Sequence, residues 1–348
     1  MDRIEYFIVG QGLAGTMLAF EMWKNNLEFR IISSPEKSRA SMVAAGLINP
    51  LVFKRLTKSW MADDLLPVMK KKYSELEELL QIEFFFEKDI LKPLSEQETQ
   101  LWLEKSKIPE FSKYIYSIER ECNINALGHS FGYGKVRGSG VVHLTTFLNA
   151  AEVFFRKHNL IIDKTFTAGE INPGADTFTI ENISASKIVF CEGYHITKNS
   201  WFGFVPLKPV KGEVLLIYAP NLSEEFILNK KVFVLPIGNH RFKVGSTFDW
   251  DDLTEMPTEM GMYSIVFRLE NLISANYTIE NHWAGIRPTV ADRRPVLGFH
   301  PEFKNLMVFN GLGTKGVMLA PHFAKQMLSL LTIKNYSVEK EVDVRRFI

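Results

Sequence analysis

Residues 7–15 read FIVGQGLAG, with Gly10, Gly12 and Gly15 in a Gly-x-Gly-x-x-Gly spacing directly after an apolar run. The chemistry this spacing serves is anion binding by main chain. Gly10 permits a sharp turn out of a strand, Gly12 leaves room for a diphosphate, and Gly15 lets a helix pack closely on a sheet. Leu13 and Ala14 would then open a helix whose unpaired N–H groups and dipole face the phosphates. The competing reading is a tight turn that happens to use glycine. Context favours the nucleotide. EYFIVG predicts a buried strand, and TMLAFEMWKNN has helical spacing with Leu18, Met22 and Trp23 on one face. LEFRIISS predicts the next strand, which completes a βαβ unit. An acid usually closes that second strand and holds the ribose hydroxyls. Here Ser33 falls at that place, with Ser34 and Glu36 beside it, and a hydroxyl binds more weakly than a carboxylate.

The same spacing returns near the other end of the sequence. Gly311, Gly313 and Gly316 in VFNGLGTKGVMLAP again lie between an apolar strand and a helix. Only 32 residues follow Gly316, too few for a second nucleotide domain. The expectation is that this strand and helix complete the first sheet, so that both glycine turns serve one nucleotide.

Composition bounds the rest. The chain has 348 residues, enough for two domains, with 41 Lys+Arg against 40 Asp+Glu and a net charge of +1. That balance gives no support for a nucleic-acid partner. No apolar run reaches the roughly 18 residues of a membrane span. MDRIEYFIVG carries acids and enters a strand at once, unlike a secretory signal. Cys122 and Cys191 lack the spacing of a redox or zinc pair, which leads us to expect reduced thiols in a cytoplasmic protein. Asp249, Asp251 and Asp252 lack the order of a calcium loop and read as a solvated turn. Further helices are predicted over 60–81, over SEQETQLWLEKS with a Ser95/Glu98 capping box, and from about residue 145. His143 reads as structural or surface. Oligomeric state is not legible.

Past the second strand, RASMVAAGLINPL (39–51) places Ser41, Ala45 and Gly46 where small residues would let a backbone run beside a bound cofactor. Here the chain resembles the D-amino-acid oxidase and glycine oxidase family of FAD-dependent enzymes. Further motifs carry the resemblance: the strand ending at Gly193, the run FKVGST at 242–247, HWAGIRPTVADRRPVLG at 282–298, and the closing GLGTKGVMLAP. It implies an α/β fold in which a Rossmann-type FAD-binding domain is interleaved with a smaller α+β substrate domain containing an antiparallel sheet. The expected division gives 1–82, 136–205 and 283–348 to the first and 83–135 with 206–282 to the second.

The resemblance further implies roles. Gly10, Gly12, Leu13, Ala14, Gly15, Ser33, Ser34, Ser41, Ala45, Gly46, Gly193, Gly311, Gly313, Thr314, Lys315 and Gly316 would line the FAD, with the closing helix aimed at the flavin pyrimidine edge. Neither cysteine lies in the C-terminal flavin segment, so the FAD would be non-covalent. Arg287 would grip a substrate carboxylate through two parallel hydrogen bonds. Its structural alternative is an ion pair with Asp292, while Arg293 and Arg294 read as surface charges. Lys315 would add charge near flavin or substrate, or else face solvent. The expected substrate is a small amine or amino acid, oxidised at its C–N bond by hydride transfer to flavin N5. Two rivals stand beside it. One is an oxidase of a carboxymethylaminomethyl-modified tRNA uridine, which the closing motif also resembles; the other is a nicotinamide-dependent dehydrogenase, supported by the first motif alone.

Overall fold

Alternating exposure ends quickly in the first strand, Asp2–Val9, whose last four residues are buried. A strand buried on both faces belongs in the middle of a parallel sheet, and that is its position. The computed structural model describes residues 2–35, 38–122, 124, 126–128 and 130–348. In it, Asp2–Val9 lies between Phe29–Ser33 and Ile183–Phe190, parallel to both. Ile161–Asp163 extends the sheet beyond Phe29–Ser33, again parallel. On the other side Leu306–Asn310 pairs parallel with Ile183–Phe190, and Val296–Phe299 closes that edge antiparallel. Phe178–Ile180 adds a seventh, antiparallel strand. The N-terminal and C-terminal strand–turn–helix units are therefore separated by a single strand in one sheet.

The helix Leu13–Lys24 is buried continuously from Leu13 to Met22. This corrects the expectation of a single buried face bearing Leu18, Met22 and Trp23. The helix is covered on several sides, by the sheet, by the closing helix Gly316–Thr332 and by Leu144–Lys157. Phe20 packs on Phe155 at 4.6 Å, and Trp23 meets Phe154 edge-on at 5.3 Å at the rim. Ala62–Leu80 buries Leu65, Leu66, Met69, Tyr73 and Leu76, and the Tyr73 hydroxyl donates to the Val317 carbonyl at 2.9 Å. The Ser95/Glu98 capping box forms in both directions. His143 is structural: its ring packs on Phe86 at 4.8 Å and its amide donates to the Phe84 carbonyl.

The second layer is an eight-stranded sheet in the order Thr278–Arg287, Val210–Tyr218, Arg241–Gly245, Val232–Gly238, Ile227–Lys230, Ile90–Leu94, Gly132–Val136, Ile115–Glu119. All its neighbours are antiparallel except Ile227–Lys230 with Ile90–Leu94. Phe242, Val244, Leu215 and Ile217 form a cluster under the helix Glu259–Glu270 on one face. Thr278–Arg287 is one unbroken strand that runs through residue 283, so its last residues, Arg287 included, belong to this sheet. A three-stranded sheet of Leu47–Ile48, Gly140–Val142 and Phe85–Glu87 lies beside these two. Both cysteines are free, and burial pushes the Cys191 thiol well up, as suits an inert core residue. Among the described residues, no helix is long and apolar enough to cross a membrane, and no cluster of His, Cys, Asp or Glu could hold a metal ion.

Candidate active site

One continuous cleft runs from the opening glycine turn, past the end of the second strand, to Arg287 and the closing helix. Gly10 sits at φ +102, and a Cβ there would press on the Cys191 carbonyl, so only glycine makes this turn. A Cβ at Gly12 would meet nothing nearer than Ser41 Oγ at 3.7 Å, so this residue opens onto the cleft. The helix beginning at Leu13 has no side-chain cap and no acid in its first turn. Ser41 Oγ accepts from the Leu13 amide at 3.2 Å, which ties the 39–51 segment to the helix start. Ala14, Ala45, Gly46 and Gly193 line the same wall. Gly15 and Gly311 do not line it. Their missing side chains make room for the Gly10 carbonyl and for Val290, so they serve packing behind the turns.

Beyond the second strand the lining is hydroxyl and cation. Ser33 and Ser34 lie there with Ser38, Arg39 and Lys164. Ser34 Oγ is 2.8 Å from Thr165 Oγ1, and Arg39 pairs with Glu152 at 3.1 Å. Among the described residues the acid in the cleft lining is Glu192, next to Gly193, and Ser38 donates to Glu255; Glu36 lies outside the described residues.

At the other end Gly313, Thr314, Lys315 and Gly316 line the cleft at the start of the closing helix, which likewise has no side-chain cap and no first-turn acid. Lys315 does not face open solvent. Its ammonium donates to the Asn49 carbonyl at 2.7 Å, and burial pushes its pKa down to about 8.

Arg287 projects from the end of its strand into the cleft. Its Nη1 donates to the carbonyls of Lys211 (3.3 Å) and Thr247 (3.2 Å), and its Nη2 to Ser246 Oγ (2.7 Å). The Phe248 ring lies 4.6 Å from the guanidinium carbon, in cation–π contact. Burial pushes the pKa down to about 10, and no carboxylate among the described residues pairs with it. The alternative partner, Asp292, is taken by Arg346 at 2.8 Å. Arg293 is exposed, whereas Arg294 lies over the Trp60 ring at 4.2 Å, a packing role the sequence did not suggest. Arg287 reaches its place because Gly212 has no side chain: a Cβ there would overlap the guanidinium. Gly212→Ala is therefore expected to displace Arg287 and raise KM for a carboxylate-bearing substrate by about tenfold, or about 1.4 kcal/mol of binding, with FAD content unchanged. Steady-state kinetics and the flavin-to-protein absorbance ratio check this.

Several residues of the site carried no sequence signal. The Gln11 side chain is 3 % exposed, lines the cleft, and leaves both amide atoms without a hydrogen-bond partner. Thr289 Oγ1 is likewise buried and unpartnered, near Gly313. Buried polar atoms are costly unless satisfied, so a polar ligand in this cleft fits the orphaned amide. Ser246 and Phe248 form the wall around Arg287. The aspartates expected as a solvated turn divide. Asp249 Oδ1 accepts from the Asp251 and Asp252 amides at 2.9 and 3.0 Å, but Asp252 turns inward onto the fully buried Lys211 at 2.5 Å.

Two uncapped helix starts on one mainly parallel sheet, glycine turns at both, and a recess holding Arg287 and Lys315 beside a mainly antiparallel sheet fit the class of dinucleotide-binding enzymes. Residues 5–330 match the family described as FAD dependent oxidoreductase, and the chain belongs to that family. Its cofactor is FAD, which replaces the nicotinamide alternative. The glycine oxidase of Bacillus licheniformis is 22% identical over 94% of this chain and 93% of its own length. The glycine oxidase of Bacillus subtilis (strain 168) is 29% identical, over a match spanning 32% of this chain and 31% of that protein. Among solved structures, glycine oxidase from Geobacillus kaustophilus superposes with a TM-score of 0.78 at 20% identity, covering 97% of each chain. Iminodiacetate oxidase from Chelativorans sp. BNC1 superposes with a TM-score of 0.80 at 14% identity, covering 97% of this chain and 98% of its own. The fold is that of this group, a Rossmann-type FAD-binding part interleaved with an antiparallel substrate-binding part.

Proposed function

We propose that this enzyme oxidises the C–N bond of an amino acid or another amine bearing a carboxylate, and that Arg287 binds that carboxylate. The single observation that carries the reading is a half-buried guanidinium, paired with no carboxylate among the described residues, facing the cleft between the two glycine turns. A desolvated guanidinium lacking an anion is poised for one, and its planar fork fixes the orientation of a carboxylate. That orientation would set the carbon next to nitrogen against the cofactor, so that positioning supplies a large share of the rate.

In this reading the Gly10–Gly12 turn with Leu13, Ala14 and Ser41 holds the diphosphate of a non-covalent FAD. Ser33 and Ser34 meet the ribose, while Ala45, Gly46, Gly193 and residues 313–316 surround the ring system. Bound there, FAD supplies the hydride acceptor. The helix start at Gly316 and the Lys315 ammonium add positive potential to that end of the cleft. Residues 206–282 would form most of the substrate-binding part, and we assign the protein to the cytoplasm. Glycine oxidase relatives and the iminodiacetate oxidase likeness are consistent with a small carboxylate-bearing amine. The near-neutral charge does not favour tRNA.

Anaerobic mixing of the yellow holoenzyme with glycine, sarcosine, proline and D-amino acids tests the reading. At least one is expected to bleach the flavin band, while the matching amine without a carboxylate does so far more slowly. Equal bleaching by the acid and the decarboxylated amine would remove the carboxylate from the proposal.

A further inference from the structure

Behind Arg287, away from the cleft, lies a cluster of charge that substrate binding does not use directly. Lys211 and Glu213 flank Gly212 in the strand Val210–Tyr218, and they are 0% and 3% exposed. Lys211 Nζ meets Asp252 Oδ2 at 2.5 Å, Thr254 Oγ1 at 3.3 Å and Glu213 Oε1 at 3.8 Å. The Glu213 carboxylate accepts from the Thr258 amide (3.0 Å) and hydroxyl (2.8 Å), and His282 Nε2 lies 2.8 Å from it. Thr258 in turn caps the helix Glu259–Glu270, its Oγ1 accepting from the Gly261 amide at 3.0 Å. Taking such charges out of water is unfavourable, and a well-packed apolar pair would serve stability as well or better. The cluster therefore calls for a role other than stability.

Its geometry supplies one. Among the described residues, the side-chain partners of Lys211 beyond its own strand, Asp252 and Thr254, both lie in the segment 249–258, and that segment continues directly from Ser246, Thr247 and Phe248. The backbone groups of Lys211 exchange two hydrogen bonds with Asp249 (2.8 and 3.0 Å), and the Glu213 amide donates to Thr247 Oγ1 at 2.9 Å. The same Lys211 carbonyl accepts from Arg287 Nη1. Farther along the segment, Glu255 takes the hydroxyl of Ser38, a residue of the cleft lining. We propose that Lys211 is a positioning residue for carboxylate binding. Its buried ammonium clamps residues 249–258, so that Ser246, Thr247 and Phe248 hold the Arg287 guanidinium toward the cleft.

The proposal rests on the reading of Arg287 as carboxylate anchor, and the test separates the two. Purified holoenzyme is titrated with glycolate, a carboxylate with no amine to oxidise, and binding is read from the flavin absorbance. Lys211→Met is expected to raise the glycolate Kd about tenfold. KM for the amine substrate should rise in step, with kcat and flavin content near the parent values. A rise in Kd under about threefold overturns the proposal, as does a fall in kcat with Kd unmoved, the pattern of a general structural role. Should Lys211→Met fail to retain FAD, Asp252→Asn, at a partly exposed position, is judged by the same thresholds. Arg287→Ala is run alongside. If it leaves glycolate binding intact, the anchor reading itself falls and this proposal with it. If it weakens binding while Lys211→Met and Asp252→Asn do not, only the positioning role falls.

Discussion

Arg287→Ala is expected to lower kcat/KM for a carboxylate-bearing amine at least 30-fold, since losing one member of a desolvated, hydrogen-bonded charge pair costs about 2–5 kcal/mol. Three features make the effect large. The guanidinium is held in place before substrate arrives, by Ser246 Oγ and two carbonyls, so little ordering remains to be done on binding. Its pKa, though lowered to about 10 by burial, keeps it charged throughout the physiological range. Among the described residues no carboxylate pairs with it, and Asp292, the partner its sequence neighbourhood offered, is engaged by Arg346. FAD content should be retained, because the glycine turns and the 39–51 segment are untouched. A second measurement sharpens the result: an amine without a carboxylate should show little difference between parent and variant. Steady-state kinetics on an acid and its decarboxylated counterpart decide it, and an unaltered preference for the acid would take Arg287 out of the site.

The other large effect is expected at the opposite end of the cleft. Gly12→Val should fold but lose FAD. The backbone there has φ −77, which any residue adopts, and a Cβ would meet only Ser41 Oγ at 3.7 Å. The branched side chain would instead occupy the space in front of the first helical amides, where on the proposed reading the diphosphate approaches the main chain. Weakening of FAD binding by about 100-fold or more, or about 2.7 kcal/mol, would give colourless protein with far-ultraviolet circular dichroism like that of the parent stripped of flavin. Gly10→Ala makes a useful contrast. Its left-handed φ and the Cys191 carbonyl in its way predict damage to the fold itself. A yellow Gly12→Val protein with parental affinity would move the diphosphate elsewhere.

The two glycine turns were readable because their requirement is local. A sharp turn, a close approach of main chain and an uncapped helix start are each written within nine residues. So were the capping box at Ser95 and the small-residue run around Ser41, Ala45 and Gly46. Ser33 was readable as a departure, and in the cleft lining it is joined by Ser34, Ser38, Arg39 and Lys164. The type of residue at 287 and 315 was legible too.

What those cations do was not legible, because partners are chosen by strand pairing and not by sequence distance. Arg287 meets Ser246 across 41 positions and Lys211 across 76; Lys315 finds the carbonyl of Asn49 across 266. Whether Lys315 faced solvent, or Arg287 an acid, was decided only when these segments met. Asp252 looked like one more solvated turn residue because its buried partner lies 41 residues upstream in another strand. The sequence by itself determined the two glycine turns, the class of cofactor and the charge types around the cleft, since backbone geometry and side-chain chemistry are properties of short stretches. Only tertiary structure decided burial, and burial determines whether a charge is screened by water or must be answered by a ligand.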